Sequence, residues 1–284
     1  MTEIDSHAVK EQQRKDWGQA AANWKKNDER LRQVTAPVTE RLLSLAGIAP
    51  GQRVLDIASG TGEPSLPAAE AVGPAGFVLA TDMAPEMLAV AREKAEARGL
   101  KNMEFRFVDG EEIDVPPASF DAVTCRWGLM FMPEPVRCLR NAYAALKPGG
   151  RIAVSVWGPP ERNPFFTVPM IVLRKYVDVP APDPNAPGVF AFADRAKLQF
   201  VMEQAGFRDV RVEEMNVTMA DFENGNEYWE YTREMTGPMR SLFEQLPPDK
   251  QEAVGREVAA AAAGGDANNP VSLAGLPLVA SGVK

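Results

Sequence analysis

The sequence predicts an α/β protein, a doubly wound and mostly parallel sheet with helices on both faces. Three observations carry that prediction. Short apolar runs recur at near-regular intervals: "RVLDIA" (53–58), "GFVLATD" (76–82), "MEFRFVD" (103–109), "FDAVTCRW" (120–127) and "RIAVSVW" (151–157). Helix-patterned stretches lie between them, as a parallel sheet requires. The first run ends in Asp56, and Gly60 and Gly62 follow, which is the kind of strand-to-helix turn that holds a nucleotide.

In chain order, residues 8–33 are polar and helix-prone, with Trp17, Ala20, Ala21 and Trp24 at three- and four-residue steps. A second helical pattern runs from about Pro37 to Ala46 and stops at Gly47. An alanine-rich helix, broken by Gly73-Pro74, joins the first two strands. "APEMLAVAREKAEARG" places Pro85 at a first helical position, Glu86 in the first turn and Gly99 at the exit. "PEPVRCLRNAYAALKPGG" is a helix that closes at Pro148-Gly149-Gly150. After Trp157 the regularity fails. Residues 158–192 are rich in proline and aromatics, with one helix near 166–177. "DRAKLQFVMEQAGF" is amphipathic through Leu198, Val201, Met202 and Ala205. "VRVEEMNVTM" (210–219) alternates like a strand, 225–265 reads as helical, and "LAGLPLVASGVK" supplies a last strand.

A chain of 284 residues with 45% hydrophobic residues buries a sizeable core. Its formal net charge of -8 argues against a general binder of nucleic-acid backbones, which needs clustered positive charge. The most basic stretch, "REKAEARGLK" (92–101), interleaves acids at helical spacing and reads as a solvated helix face. Cys125 and Cys138 do not make a disulfide framework or a metal cluster, and both read as small core residues. Without a signal-peptide pattern or an apolar span, a cytoplasmic protein is expected, a monomer or homodimer that binds neither nucleic acid nor metal.

The first turn departs from a dinucleotide loop in two ways. Ser65 stands where the third glycine of G-x-G-x-x-G would be. Asp56 puts a carboxylate where a pyrophosphate would bring negative charge, and Glu63 adds to the same bias. An acid there suits a nucleotide bearing an ammonium group, and S-adenosylmethionine has one and lacks phosphate. Asp82, at the end of the second strand, reads as an acceptor for ribose hydroxyls or as a helix cap before Pro85. Asp109-Gly110, after the third strand, reads as a contact to an adenine edge, or Asp109 as a plain loop acid.

"VLDIASGTG", "ATDMAPEML", "VDGEEID", "FDAVTCRWGLMFMPEP" and "LKPGGRIAVSVW", in that order, resemble the class I S-adenosylmethionine-dependent methyltransferases. The nearest resemblance is to the branch holding the ubiquinone/menaquinone-biosynthesis type and many small-molecule methyltransferases. The resemblance implies a Rossmann-like sheet of seven strands with the last antiparallel, and S-adenosyl-L-methionine as cofactor. It implies Asp56, Ala58, Ser59, Gly60 and Gly62 at the methionine end, Asp82 on the ribose and Met83 on the adenine face. Asp109 and Gly110 would meet the adenine edge, and Arg126 would sit beside the sulfonium. Ala58 departs from the glycine usual in the family, and Ala84 from the usual serine cap.

One methyltransferase domain over 1–284 is expected. It has an N-terminal helical lid (1–47), a cofactor-binding core (48–158), substrate-cap insertions (159–192 and 221–266) and remaining core elements (193–220 and 267–284). Methyl transfer is an in-line displacement, so alignment and exclusion of water matter more than a dedicated base. His7, the one histidine, lies in a polar segment, either solvent-exposed or a base carried by a closing arm, so no Ser/His/Asp constellation can be built without it. Acceptor contacts are expected from Trp17, Trp24, Trp127, Phe131, Trp157, Phe165, Tyr176, Tyr228 and Tyr231, which read individually as satellite core and together as an apolar or planar pocket. Asp16, Glu161, Glu214 and Tyr231 are candidates for polar contacts or a base. A nicotinamide-dinucleotide oxidoreductase and a non-catalytic cofactor-binding protein of the same fold are the rival readings.

Overall fold

The computed structural model describes residues 5–178, 186–235 and 242–284. Its strands are β1 (Arg53–Ile57), β2 (Phe77–Asp82), β3 (Met103–Phe107), β4 (Phe120–Arg126), β5 (Leu146–Trp157), β6 (Arg208–Glu214), β7 (Val217–Phe222), β8 (Val271–Gly275) and β9 (Pro277–Val283). Seven of them form one sheet in the order β3-β2-β1-β4-β5-β9-β6. β1 pairs in parallel with β2 and β4, whereas β9 runs antiparallel to both β5 and β6. The expected mostly parallel seven-stranded sheet with an antiparallel last strand is thus present. Val54, Leu55, Asp56 and Ile57 of β1 are all buried, as expected for a strand covered on both faces.

The helices are α1 (Ser6–Lys26), α2 (Asp28–Ala46), α3 (Ser65–Val72), α4 (Pro85–Ala97), α5 (Pro135–Ala145), α6 (Pro164–Leu173), α7 (Arg195–Gln204), α8 (Gly225–Met235) and α9 (Pro248–Ala262). α2 starts well before the expected Pro37, which lies inside it. Its buried face, Thr35, Val38, Thr39, Leu42 and Ala46, continues across the proline at three- and four-residue steps, so packing outweighs the one missing N–H. α5 ends at Ala145, and Leu146 already pairs with Phe120, so the Lys-Pro-Gly-Gly stretch belongs to β5.

The alternating run 210–219 is two strands. The chain leaves the main sheet after Glu214, and β7 pairs with β8 in a separate two-stranded sheet. The C-terminal run divides in the same way into β8 and β9. Pro277 opens β9, the position where a strand tolerates a residue without an N–H. α6 begins at Pro164 and ends at Leu173, ahead of the expected 166–177. Parts of the readings of 158–192 and 225–265 fall on 179–185 and 236–241, outside the described residues, as do residues 1–4 of the N-terminal reading. Among the described residues, no helix is long and apolar enough to cross a membrane.

Candidate active site

β1 delivers the chain into a loop fixed by main-chain bonds. Ser59 N donates to Thr81 O at 2.9 Å, Gly62 N to Ser59 O at 2.9 Å, and Gly60 N to Asp82 Oδ2 at 2.8 Å. Ala58 takes φ 55°, a left-handed conformation that costs a residue with a Cβ about 1–2 kcal/mol. Glycine at 62 is required twice over: φ is 105°, and a Cβ would meet Leu66 Cδ1 at 2.6 Å.

Asp56 is fully buried under this loop. Its Oδ1 accepts from Thr124 Oγ1 at 2.8 Å, while Oδ2 has no partner. Burial pushes its carboxyl up to about 7, against the Thr124 hydrogen bond and the Arg126 charge. The hydroxyls of Ser59 and Ser65 are also buried without partners. The free carboxylate oxygen of Asp56 suits a ligand carrying an ammonium group and not a pyrophosphate. Asp82, 8% exposed, accepts from Gly60 N and Ala84 N, each at 2.8 Å, and burial raises it to about 6. Each of its oxygens keeps lone-pair capacity for a hydroxyl donor. Met83, next to it, is half-buried.

The end of β3 is tied to the N-terminal helix. Asp109 Oδ1 accepts from Glu111 N at 2.9 Å, and Lys10 Nζ of α1 pairs with Asp109 Oδ2 at 2.7 Å and with fully buried Glu111. Glu111 also accepts the Glu134 N–H. A Cβ on Gly110 would lie 2.7 Å from Met132 Cε and 3.0 Å from Ile57 Cγ2, so a side chain here requires those two to shift. Lys10 and Glu111 escaped sequence reasoning because they are far apart in the chain and each reads alone as a surface charge.

At the end of β4, Arg126 is bonded to α2. Its Nη1 donates to Thr35 Oγ1 at 2.7 Å and Thr39 Oγ1 at 2.9 Å, both on α2. Thr35 and Thr39 were missed too, although two threonines four apart on an apolar helix face were a readable signal. Trp127 follows at φ 56°, stacked on Trp157 with centroids 4.8 Å apart and planes 8° from parallel. Gly128 presses on Ala58, so the exit of β4 is in contact with the glycine loop.

The expected aromatic residues other than Tyr176 form two groups. Trp17 meets Phe131 and Trp24 edge-on at 5.2 and 5.9 Å, which brings α1 over the exit of β4. Trp157 meets Phe166, and Phe165 leads on to Tyr228 and Tyr231. Tyr228 is fully buried and donates to Phe165 O at 2.8 Å, so it is interior packing. Burial raises Tyr231 to about 12, which disfavours the phenolate that a base there would need. Tyr176 donates to Glu257 on α9 and is not joined to either group. Glu161, Glu214 and His7 are exposed, and Asp16 bonds Gln12 on its own helix. Cys125 and Cys138 are buried, as expected of core residues.

A sequence profile described as "Methyltransferase domain" matches residues 48–161. Aklanonic acid methyltransferase DauC of Streptomyces sp. (strain C5) is 32% identical over 185 residues, covering 62% of this chain and 83% of that protein. The ubiquinone/menaquinone biosynthesis C-methyltransferase UbiE of Cupriavidus taiwanensis is 31% identical over 194 residues, covering 66% of this chain and 79% of the relative. A putative methyltransferase from Bacillus halodurans C-125 superposes with a TM-score of 0.56 at 20% identity, covering 87% of this chain and 98% of that one, a likeness of fold alone. With the glycine loop, the acids at the ends of β1 and β2 and relatives above 30% identity in agreement, the chain belongs to the class I S-adenosylmethionine-dependent methyltransferases, with S-adenosyl-L-methionine as its methyl donor.

Proposed function

We propose that this methyltransferase acts on a small, planar, largely apolar acceptor lying against the Trp127–Trp157 stack. The observation behind the reading is that stack itself: two indoles 4.8 Å apart at the ends of neighbouring strands, with Trp127 Nε1 buried and unpartnered. Parallel indoles present a flat, polarisable wall to another ring. The relatives are named for aklanonic acid and for ubiquinone and menaquinone biosynthesis, which carries over a small-molecule acceptor and nothing finer.

In this reading Asp56 and Ser59 receive the ammonium end of the cofactor on the Ala58–Gly62 loop. Asp82 takes the ribose hydroxyls, and Met83, Asp109 and Gly110 border the adenine. Bound there, S-adenosylmethionine supplies a methyl group on a sulfonium, open to in-line displacement by the acceptor's lone pair. The described part of the N-terminal segment 1–47 acts as a lid: α1 packs Ala20 and Ala21 against Ala84, Met87 and Val90 and thereby shields the loop from water. The described parts of the insertions 159–192 and 221–266 cap the acceptor, with Phe166 meeting Trp157 of the stack and Phe165 behind it. Orientation by these walls is the chain's main contribution, because its buried tyrosines hold their protons near neutral pH.

The test is methyl transfer from isotope-labelled donor across matched planar and aliphatic acceptors, with Trp127→Ala alongside. Planar acceptors should be preferred, and the variant should lose that preference while still binding S-adenosylhomocysteine. Equal transfer to aliphatic acceptors would remove the stack from the acceptor site.

A further inference from the structure

Arg126 stands apart from the cations around it. Arg30, Arg41 and Lys94 each pair with a carboxylate at 2.6–2.8 Å. Among the described residues, no carboxylate lies within 4.0 Å of Arg126, although the side chain is largely buried. Nη1 spends both of its hydrogens on Thr35 and Thr39. Thr35 Oγ1 donates in turn to Leu31 O at 2.8 Å, so its lone pairs face the guanidinium. The guanidinium also lies against the Trp127 ring, 4.9 Å from its centroid. Two neutral oxygens and an aromatic face therefore fix the group without neutralising it.

What remains is the Nε/Nη2 edge, the side of a guanidinium that grips a carboxylate with two parallel bonds. The protein uses that same edge elsewhere: Arg41 holds Glu213 through Nε at 2.8 Å and Nη2 at 2.7 Å. At Arg126 no described residue fills it. Charge leads to the same conclusion. A cationic donor arriving beside Arg126 adds like charge, and a neutral acceptor would leave the buried guanidinium without a counter-ion. Burial already holds Arg126 below the usual arginine range, against the more distant charges of Glu63, Asp56 and Asp28.

We infer that the acceptor is an acid whose carboxylate is received by the Nε/Nη2 edge of Arg126, with Thr35 and Thr39 positioning the guanidinium. This rests on the planar-acceptor reading above and adds a charge requirement to it.

The test is calorimetric titration of the protein saturated with S-adenosylhomocysteine. The probes are 2-naphthoate, 1-hydroxy-2-naphthoate, their carboxamides, and octanoate. The naphthoates should bind at least about ten-fold more tightly than their amides. Arg126→Gln should reduce that ratio to about two-fold or less, and Thr35→Val/Thr39→Val should reduce it in part, with S-adenosylhomocysteine affinity unchanged. Equal binding of acids and amides, or no binding of any acid, overturns the inference. So does a loss of S-adenosylhomocysteine affinity in Arg126→Gln, which would assign Arg126 to the cofactor's own carboxylate. If octanoate matches the naphthoates in an Arg126-dependent way, the planar reading fails and the charge requirement stands. Should Arg126→Gln not fold, the acid–amide comparison on the unaltered protein decides.

Discussion

Gly60 donates its N–H to Asp82 Oδ2 at 2.8 Å, so the acid that ends β2 also anchors the glycine loop that follows β1. The other oxygen accepts from Ala84 N at 2.8 Å, at the start of α4. One carboxylate thus sets the distance between the two strand ends on which a nucleoside would lie. Asp82→Ala leaves the buried Ala84 N–H and the half-buried Gly60 N–H without an acceptor and removes a charged partner for the ribose. We expect it to weaken S-adenosylhomocysteine binding by about 1–3 kcal/mol and to lower the melting temperature. Calorimetry and thermal denaturation check both. Unchanged affinity would confine Asp82 to a structural role.

The site is also expected to respond to pH. Asp56 titrates near ~3.9 in an unfolded chain but is raised to about 7 in the folded one, and Asp82 to about 6. Between about pH 4 and pH 7 the ligand-free folded state holds the extra protons. The stability from this source is therefore complete below the unfolded pKa and lost as pH rises through the folded values. For the cofactor the sign reverses, because its ammonium pairs with an ionised carboxylate. Affinity for S-adenosylhomocysteine should rise toward neutrality with a limiting slope of about one decade per pH unit, and binding near pH 6 should release a proton. Calorimetry in two buffers of different ionisation enthalpy measures that release. Equal release from Asp56→Asn would exclude Asp56 as its source.

These two acids were legible in the sequence because they end apolar runs. The sheet itself was legible for the same reason. What stayed hidden depends on tertiary partners. The run 210–219 shifts phase at Glu213-Glu214, where the chain passes from its partner β9 to its partner β8, but a two-residue break in an alternating run does not by itself say that the halves pair with different strands. Pro37 looked like a helix start because the buried stripe that carries α2 through it is visible only against the sheet. Arg126 was placed correctly at a strand end, but its tether to Thr35 and Thr39 spans some ninety positions of chain and leaves no local pattern.

Lys10 tests the N-terminal helix as a lid. It is the cation that pairs with fully buried Glu111 and with Asp109. Lys10→Met leaves Glu111 buried and uncompensated, a cost of about 3–5 kcal/mol if α1 stays docked. Undocking α1 relieves that cost, so residues 6–26 should become sensitive to protease while the sheet stays folded. Turnover should fall more than S-adenosylhomocysteine affinity. Adding Glu111→Gln should restore protection, since the buried charge is gone. Wild-type protection in Lys10→Met would show that the apolar contacts of α1 hold it without this pair.

The contact between Gly128 and Ala58 provides the sharpest test of how the acceptor side is coupled to the cofactor loop. A Cβ on Gly128 would fall 2.4 Å from Ala58 Cβ and 3.1 Å from Cys125 Sγ. Gly128→Ala should therefore push the β4 exit off the loop, destabilising the protein by about 1–3 kcal/mol and weakening S-adenosylhomocysteine binding. Ala58→Gly alone removes the left-handed strain at φ 55° and at the same time adds freedom to the unfolded chain. These effects oppose each other, so its own effect should stay within about 1 kcal/mol. In the double variant the Cβ–Cβ clash is absent and only the looser Cys125 contact remains. A double-mutant cycle should then show a favourable coupling of about 1 kcal/mol or more, with cofactor affinity recovered. If the two changes simply add, the two loops are not in contact in solution, and motion at the β4 exit would not reach the methyl donor through Ala58.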